Sequence, residues 1–172
     1  MPEGPPYFQV IEGDLVRSPA NTTFHQSISC TIAVLISNFL GRHRQGEVFI
    51  GPLDVFLDDV NVYQPDVFFV SEQRRSIVTD HGIEGAPDLI VETLSPTTAR
   101  YDKGSKRKIY ARHGVREFWL VDPETRAIQV YLLGKDAETP VATHGDKAAF
   151  ESVVLPGRRV KTAAIFKSSL RN

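Results

Sequence analysis

Two acidic residues beside or inside strongly apolar runs place the tightest limit on how this chain can fold. Asp66 follows Pro65 and opens the apolar run at residues 67–70, and Glu92 lies inside the apolar run at residues 89–94. An ionised carboxylate in a buried strand costs several kcal/mol unless a cation meets it. If the two runs form neighbouring strands of one sheet, both carboxylates reach one point. A divalent metal ion is the usual reason for such an arrangement.

A strongly cationic segment follows the second apolar run. Residues 100–116 contain seven Lys or Arg residues and one acid, a net charge of +6, whereas the whole chain has a net charge of −1. The chain as a whole therefore does not attract polyanions, but a basic patch can still bind one locally. Acidic strands followed by a basic helix favour metal-assisted attack on a phosphodiester. The alternative is an ordinary solvated helix face.

The spacing of apolar residues predicts a mixed α/β (α+β) fold. Strands are expected at residues 7–11, 14–17, 47–50, 53–57, 66–70, 88–94, 116–121, 127–133 and 149–155, and helices at about 22–41 and 103–113. Residues 60–64 and 134–147 are predicted to be connectors, and residues 71–85 a loop with a short helical turn. The pattern predicts one domain over residues 1–172, with a mixed sheet, flanking helices and an N-terminal β-hairpin.

The cysteine content and the chain start indicate a cytoplasmic protein without membrane segments. Cys30 is the only cysteine, so an intramolecular disulfide is excluded, and its apolar surroundings predict a buried core position. No secretory signal is visible at the start. The longest apolar stretch, residues 28–40, is interrupted by polar residues and is shorter than the roughly 20 residues of a membrane span.

Lysine and tyrosine side chains of the cationic helix are further candidates for the site. Lys106 and Tyr110 are four residues apart and therefore share a helix face, whereas Lys103 and Lys108 point elsewhere. A lysine beside two carboxylates and a metal can orient the attacking water or stabilise the developing phosphate charge. His25, near the start of the first helix, is a helix cap, a core neighbour or a ligand.

Several motifs together resemble one protein family. They are Gln-Pro-Asp-Val at residues 64–67, Gly-Ala-Pro-Asp-Leu-Ile-Val-Glu at 85–92, Leu-Ser-Pro-Thr-Thr at 94–98 and Gly-Val-Arg-Glu-Phe-Trp-Leu-Val-Asp-Pro at 114–123, with Asp102, Lys106 and Tyr110 between them. This combination resembles the Uma-two family of bacterial restriction-endonuclease-like proteins, within the PD-(D/E)XK nuclease superfamily. The resemblance extends from about residue 7 to residue 133.

The resemblance implies a restriction-endonuclease-like fold and Mg²⁺-dependent phosphodiester hydrolysis, with Mn²⁺ as a substitute metal. Asp66 and Glu92 would be the metal ligands. The chain departs from the superfamily pattern at Leu94, where the superfamily has a lysine, and Lys106 on the following helix would replace it. His25, Asp14 and Tyr110 are candidate supporting residues. Arg107, Arg112 and Lys103 are candidates for contact with the nucleic-acid backbone.

Three functions remain open from the sequence. The first is a DNA endonuclease, expected to be a homodimer because duplex cleavage needs two cuts. The second is an inactive nuclease-fold protein that acts in binding or assembly. The third is a metal-free hydrolase that uses Asp66 and Glu92 as an acid/base pair, for example on glycosides. The cationic helix favours a phosphate substrate over a sugar.

Overall fold

The computed structural model describes residues 7–18, 21–94 and 104–167. The strands are β1 (Phe8–Ile11), β2 (Asp14–Arg17), β3 (Gly46–Ile50), β4 (Val55–Asp58), β5 (Asn61–Tyr63), β6 (Val67–Ser71), β7 (Val78–Thr79), β8 (Gly82–Glu84), β9 (Leu89–Thr93), β10 (Glu117–Asp122), β11 (Ala127–Leu132), β12 (Ala142–His144), β13 (Ala149–Glu151) and β14 (Arg159–Lys161). The α-helices are α1 (Thr23–His43), α2 (Ser105–Arg112) and α3 (Thr162–Ile165), and a 3₁₀ helix spans Glu72–Ile77.

A six-stranded mixed sheet forms the centre of the molecule. Its strand order is β12-β11-β10-β9-β6-β3, with β9 and β10 parallel and the other neighbours antiparallel. A second six-stranded sheet, of order β2-β1-β5-β4-β8-β7, contains the predicted N-terminal hairpin at one edge. The hairpin turn places Glu12 and Gly13 at positive φ angles of 50° and 90°, as a two-residue turn between antiparallel strands requires.

The two faces of the central sheet belong to different hydrophobic cores. Residues such as Val91 and Trp119 face α1, while Ile90 and Phe118 face α2 and the second sheet. This alternation follows the period of two in a β-strand. The mixed sheet and the helices that pack on its two faces confirm the predicted mixed α/β fold. Because Glu92 follows Ile90 by two residues, it lies on the face that α2 covers.

Helix α1 is fixed at its start and along one side. The Thr22 hydroxyl caps the helix by accepting a hydrogen bond from the backbone N–H of His25 at 3.2 Å. Ile28, Ile32 and Ile36 follow at helical spacing and are almost completely buried against the central sheet. The helix therefore holds the His25 side chain against the sheet in a fixed position.

A second buried carboxylate fixes the start of β10. The Glu117 side chain is fully buried and accepts hydrogen bonds from the indole N–H of Trp119, the hydroxyl of Ser152 and the backbone N–H groups of Val153 and Val154. Burial raises the pKa of Glu117, and the hydrogen bonds oppose that shift. This carboxylate attaches the segment at residues 152–154 to the central sheet.

Some of the predicted local structure was wrong. Residues 61–63 form β5 and residues 142–144 form β12, although both segments were expected to be connectors. In residues 71–85 the 3₁₀ helix confirms the predicted helical turn, but the hairpin of β7 and β8 was not expected, and the strand expected at 149–155 ends at Glu151. Short strands of three residues carry too little apolar periodicity to be recognised.

Cys30 is exposed, which corrects its predicted core position. It lies two residues after Ile28, on the opposite side of α1, because two residues rotate by about 200° around a helix. In the described part of the chain, no helix is long and apolar enough to cross a membrane.

Candidate active site

The two carboxylates singled out by the sequence lie at the same end of two neighbouring strands. β6 and β9 are antiparallel and pair Val67 with Val91, so the same register places Asp66 level with Glu92. Asp66 lies just before β6, and its Oδ2 accepts a hydrogen bond from the backbone N–H of Thr93 at 2.8 Å. The strand pairing that builds the sheet therefore also places these two acidic residues on neighbouring chain segments at the same level.

Helix α2 provides the partners of Glu92. The Lys106 ammonium lies 3.4 Å from Glu92 Oε1, and the Tyr110 hydroxyl donates to the same oxygen at 2.7 Å. The Lys106 and Glu92 side chains are only 11% and 8% exposed, so solvent screens this ion pair weakly. Both partners come from one face of α2 because they are four residues apart.

His25 provides the partner of Asp66. Its Nε2 lies 3.0 Å from Asp66 Oδ2 and 2.9 Å from the carbonyl oxygen of Thr93. Both neighbours are acceptors, so Nε2 carries a proton. Burial lowers the pKa of His25, but the hydrogen bond and charge of Asp66, the Thr93 carbonyl and the charge of Glu92 outweigh it, and the pKa is raised. The pKa of His25 therefore depends on the charges of both carboxylates.

The oxygen atoms at this edge suit a hard divalent cation. Carboxylates and a backbone carbonyl are the ligand types that Mg²⁺ takes. His25 Nε2 contacts both Asp66 Oδ2 and the Thr93 carbonyl oxygen, and the charge of Glu92 is close enough to raise the pKa of His25. The buried Thr93 Oγ1 and His25 Nδ1 have no hydrogen-bond partner among the described residues. Within those residues, no three His, Cys, Asp or Glu side chains come together as a metal-binding group. A metal here would thus be held by two carboxylates, the carbonyl and water.

Tyr63 belongs to the same cluster, although the sequence did not point to it. Its ring lies 6.0 Å below the Lys106 ammonium and makes an edge contact with the Tyr110 ring, with 5.2 Å between ring centroids. Burial raises the pKa of Tyr63 to about 12. Residues 60–64 were expected to be a connector, and because all three residues of β5 are buried, no apolar alternation in the sequence indicates an inward-facing tyrosine.

Arg107, a candidate for contact with nucleic acid, is buried on a neighbouring face of α2, about 100° around the helix from Lys106. Its guanidinium stacks 4.4 Å from the centroid of the Tyr131 ring. It donates hydrogen bonds to the carbonyl oxygens of Ala137 and Glu138, and it lies 3.7 Å from the Glu138 carboxylate. Only 8% of the side chain is exposed. Arg107 therefore holds the loop around residue 137 against α2.

The remaining candidates are dispersed. Arg112 is exposed at the end of α2, and Lys108 is exposed and forms an ion pair with Glu138 at 2.9 Å. Asp14 is exposed on β2, in the second sheet rather than in the sheet that carries Asp66 and Glu92. Lys103 lies outside the described residues.

Comparisons with known proteins give a matching family model and two related sequences. A family model described as "Uma2: Putative restriction endonuclease" matches residues 1–163. The chain is 26% identical to the uncharacterized protein slr1290 of Synechocystis sp., over 86% of this chain and 78% of the relative. It is 23% identical to the uncharacterized protein sll1609 of the same organism, over 76% and 81% of the two chains.

A solved structure also resembles this chain. It is the crystal structure of "a putative nuclease belonging to DUF820" from Anabaena variabilis, with a TM-score of 0.77 and 21% sequence identity. The similarity covers 97% of this chain and 93% of that chain. At this identity the match supports the fold, and the chemistry of the site has to be argued from the residues present.

Proposed function

Because the chain belongs to the Uma2 family of "putative restriction endonuclease" proteins, we propose that it is an Mg²⁺-dependent endonuclease that hydrolyses phosphodiester bonds of DNA. The observation that carries this proposal is the register of β6 and β9, which sets Asp66 level with Glu92, together with the Lys106 ammonium 3.4 Å from Glu92 Oε1. Superfamily resemblance predicts a lysine two residues after the second acid. Here Leu94 takes that place, and Lys106 supplies the ammonium from α2.

Each residue has a distinct part in this proposal. A bound Mg²⁺ supplies Lewis-acid stabilisation of the phosphoryl oxygens and lowers the pKa of a bound water. Asp66 and Glu92 would hold the cation. Lys106 is a hydrogen-bond donor to the attacking water or to the developing phosphate charge. Tyr110 and His25 keep the two carboxylates in place through the contacts at 2.7 Å and 3.0 Å.

A second candidate function is supported by one observation. Each carboxylate already faces a protein group that can be cationic: Lys106 for Glu92 and His25 for Asp66. The charges can therefore be compensated without a metal, as they would be in a nuclease-fold protein that binds nucleic acid but does not cut it. Metal binding and cleavage separate the two functions.

The test is cleavage of a supercoiled plasmid in Mg²⁺, in Mn²⁺ and in EDTA, with metal affinity measured by calorimetry. We expect Asp66→Asn and Glu92→Gln to lose both cleavage and metal affinity. Lys106→Met should lose cleavage while metal affinity changes little. Lys108→Met is the matched control, because Lys108 is a cation of the same helix that pairs with the exposed Glu138.

Two results would remove the proposal. Cleavage that is unchanged in the Asp66 and Glu92 variants would place the chemistry elsewhere. Tight DNA binding by the wild-type protein with neither metal binding nor cleavage would establish the non-cutting function instead.

The homodimer expected from the sequence stays a prediction, which light scattering at micromolar concentration tests. Phosphate contact by Arg112 also stays a prediction.

A further inference from the structure

The hydroxyl of Tyr63 is the unexplained polar group of this cluster. The Tyr63 side chain is completely buried, and its hydroxyl has no hydrogen-bond partner within the described part of the chain. Two other buried tyrosines of the same hydrophobic core have partners: Tyr110 donates to Glu92 at 2.7 Å and Tyr131 donates to Gln129 at 2.8 Å. An unpaired buried hydroxyl is costly, and an acceptor from outside the protein would remove that cost.

The groups around the Tyr63 hydroxyl indicate which kind of acceptor suits it. With a pKa of about 12, Tyr63 keeps its proton at neutral pH and can donate it to a hydrogen bond. Its largest interaction with a charged group is with the Lys106 ammonium, which is also only a donor. The Lys106 ammonium lies over the Tyr63 ring, 6.0 Å from its centroid, and two donors on one ring are best satisfied by an oxygen atom that carries negative charge and accepts from both.

We propose that the Tyr63 hydroxyl is a further binding group of the site and donates a hydrogen bond to a non-bridging phosphate oxygen beside Lys106. The proposal rests on the proposed function, since it names a phosphate as the ligand. The oxygen approaches from the side of Lys106, whose flexible four-carbon side chain can rotate to admit it. The Tyr110 ring, in edge contact at 5.2 Å, keeps the Tyr63 ring in place.

The experiment compares Tyr63→Phe with a matched control, Tyr131→Phe. Both changes remove one hydroxyl from a buried tyrosine of the same core and keep the ring. The first measurement is the thermal midpoint of the metal-free protein with inorganic phosphate and with chloride at equal ionic strength. The second is kcat and KM for cleavage of a duplex in Mg²⁺.

We expect phosphate to raise the midpoint of the wild type and of Tyr131→Phe, because a ligand that binds the folded state stabilises it. Tyr63→Phe should lose this shift. Without phosphate its midpoint should equal or exceed that of the wild type, because an unpaired buried hydroxyl has been removed. In cleavage, Tyr63→Phe should lower kcat/KM by roughly 10- to 100-fold, the range for one hydrogen bond to a charged group.

The phosphate measurement decides the proposal even if the protein proves not to cut DNA. An equal phosphate shift in Tyr63→Phe and the wild type, or no shift in either, would overturn it. A midpoint of Tyr63→Phe that falls while the phosphate shift is kept would identify the hydroxyl as a structural group. Absence of cleavage in the wild type, with the phosphate shift lost only in Tyr63→Phe, would overturn the proposed function and retain this binding group.

Discussion

Arg107 and Arg112 provide a direct test of how the cationic helix is used. Both arginines belong to α2, but the Arg107 side chain is 8% exposed whereas Arg112 is exposed at the helix end. Arg107 packs on the Tyr131 ring at 4.4 Å and donates to two carbonyl oxygens of the neighbouring loop. Arg107→Ala should therefore destabilise the fold, and Arg112→Ala should leave it nearly unchanged.

The expected size follows from these contacts of Arg107. A hydrogen bond from a charged donor contributes about 1.5–3 kcal/mol, and a desolvated cation–π contact contributes about 2 kcal/mol. The ion pair with Glu138 adds little, because that carboxylate is 63% exposed and is screened by solvent. Such contributions are not additive, so we expect a loss of about 3 kcal/mol in the free energy of unfolding. For a chain of this size, that corresponds to a fall of roughly 6–12 °C in Tm.

Urea unfolding measures this loss, and Arg112→Ala is the control. The midpoint should fall for Arg107→Ala with little change in the slope m, while Arg112→Ala should stay within about 0.5 kcal/mol of the wild type. If Arg112 contacts DNA phosphate, its loss should reduce the salt dependence of log K by about 0.9. Equal and small effects of the two variants on stability would refute the assignment of Arg107 as the residue that holds the loop.

Three further outcomes are expected. Tyr110→Phe removes the hydroxyl that donates to Glu92, so urea unfolding should show a loss of about 1.5–3 kcal/mol; an unchanged midpoint would contradict that bond. In the metal-free protein the pKa of His25, measured by NMR, should lie above its ordinary 6.5 and should fall below it in Asp66→Asn, where burial dominates. The stabilisation from protonated His25 is then complete below pH 6.5 and is lost as the pH rises through the folded-state pKa. Glu117→Gln directs an amide N–H₂ at groups that are themselves donors, and it should cost about 1–3 kcal/mol in thermal or urea unfolding.

The longer elements of the fold could be predicted because their apolar residues repeat over many positions. Helix α1 repeats its buried isoleucines every four residues, and β9 alternates between two hydrophobic cores. The three-residue strands β5 and β12 have no such repetition, and they exist because neighbouring strands supply hydrogen bonds to them. Their formation depends on tertiary contacts, which local sequence patterns do not record.

The same distinction separates the candidate site residues that the sequence indicated from those that it did not indicate. Asp66 and Glu92 stand out in the sequence because a carboxylate is costly in a buried strand, and Lys106 and Tyr110 share a helical spacing. Tyr63 carries no such signal, because a tyrosine is ordinary in a strand core and its orphaned hydroxyl appears only after folding. Arg107 shows the converse, since its charge suggests solvent or phosphate while the fold places it on Tyr131. A carboxylate in an apolar strand therefore stands out in the sequence, but whether it is structural, like Glu117, or a candidate site residue, like Glu92, depends on partners that tertiary packing determines.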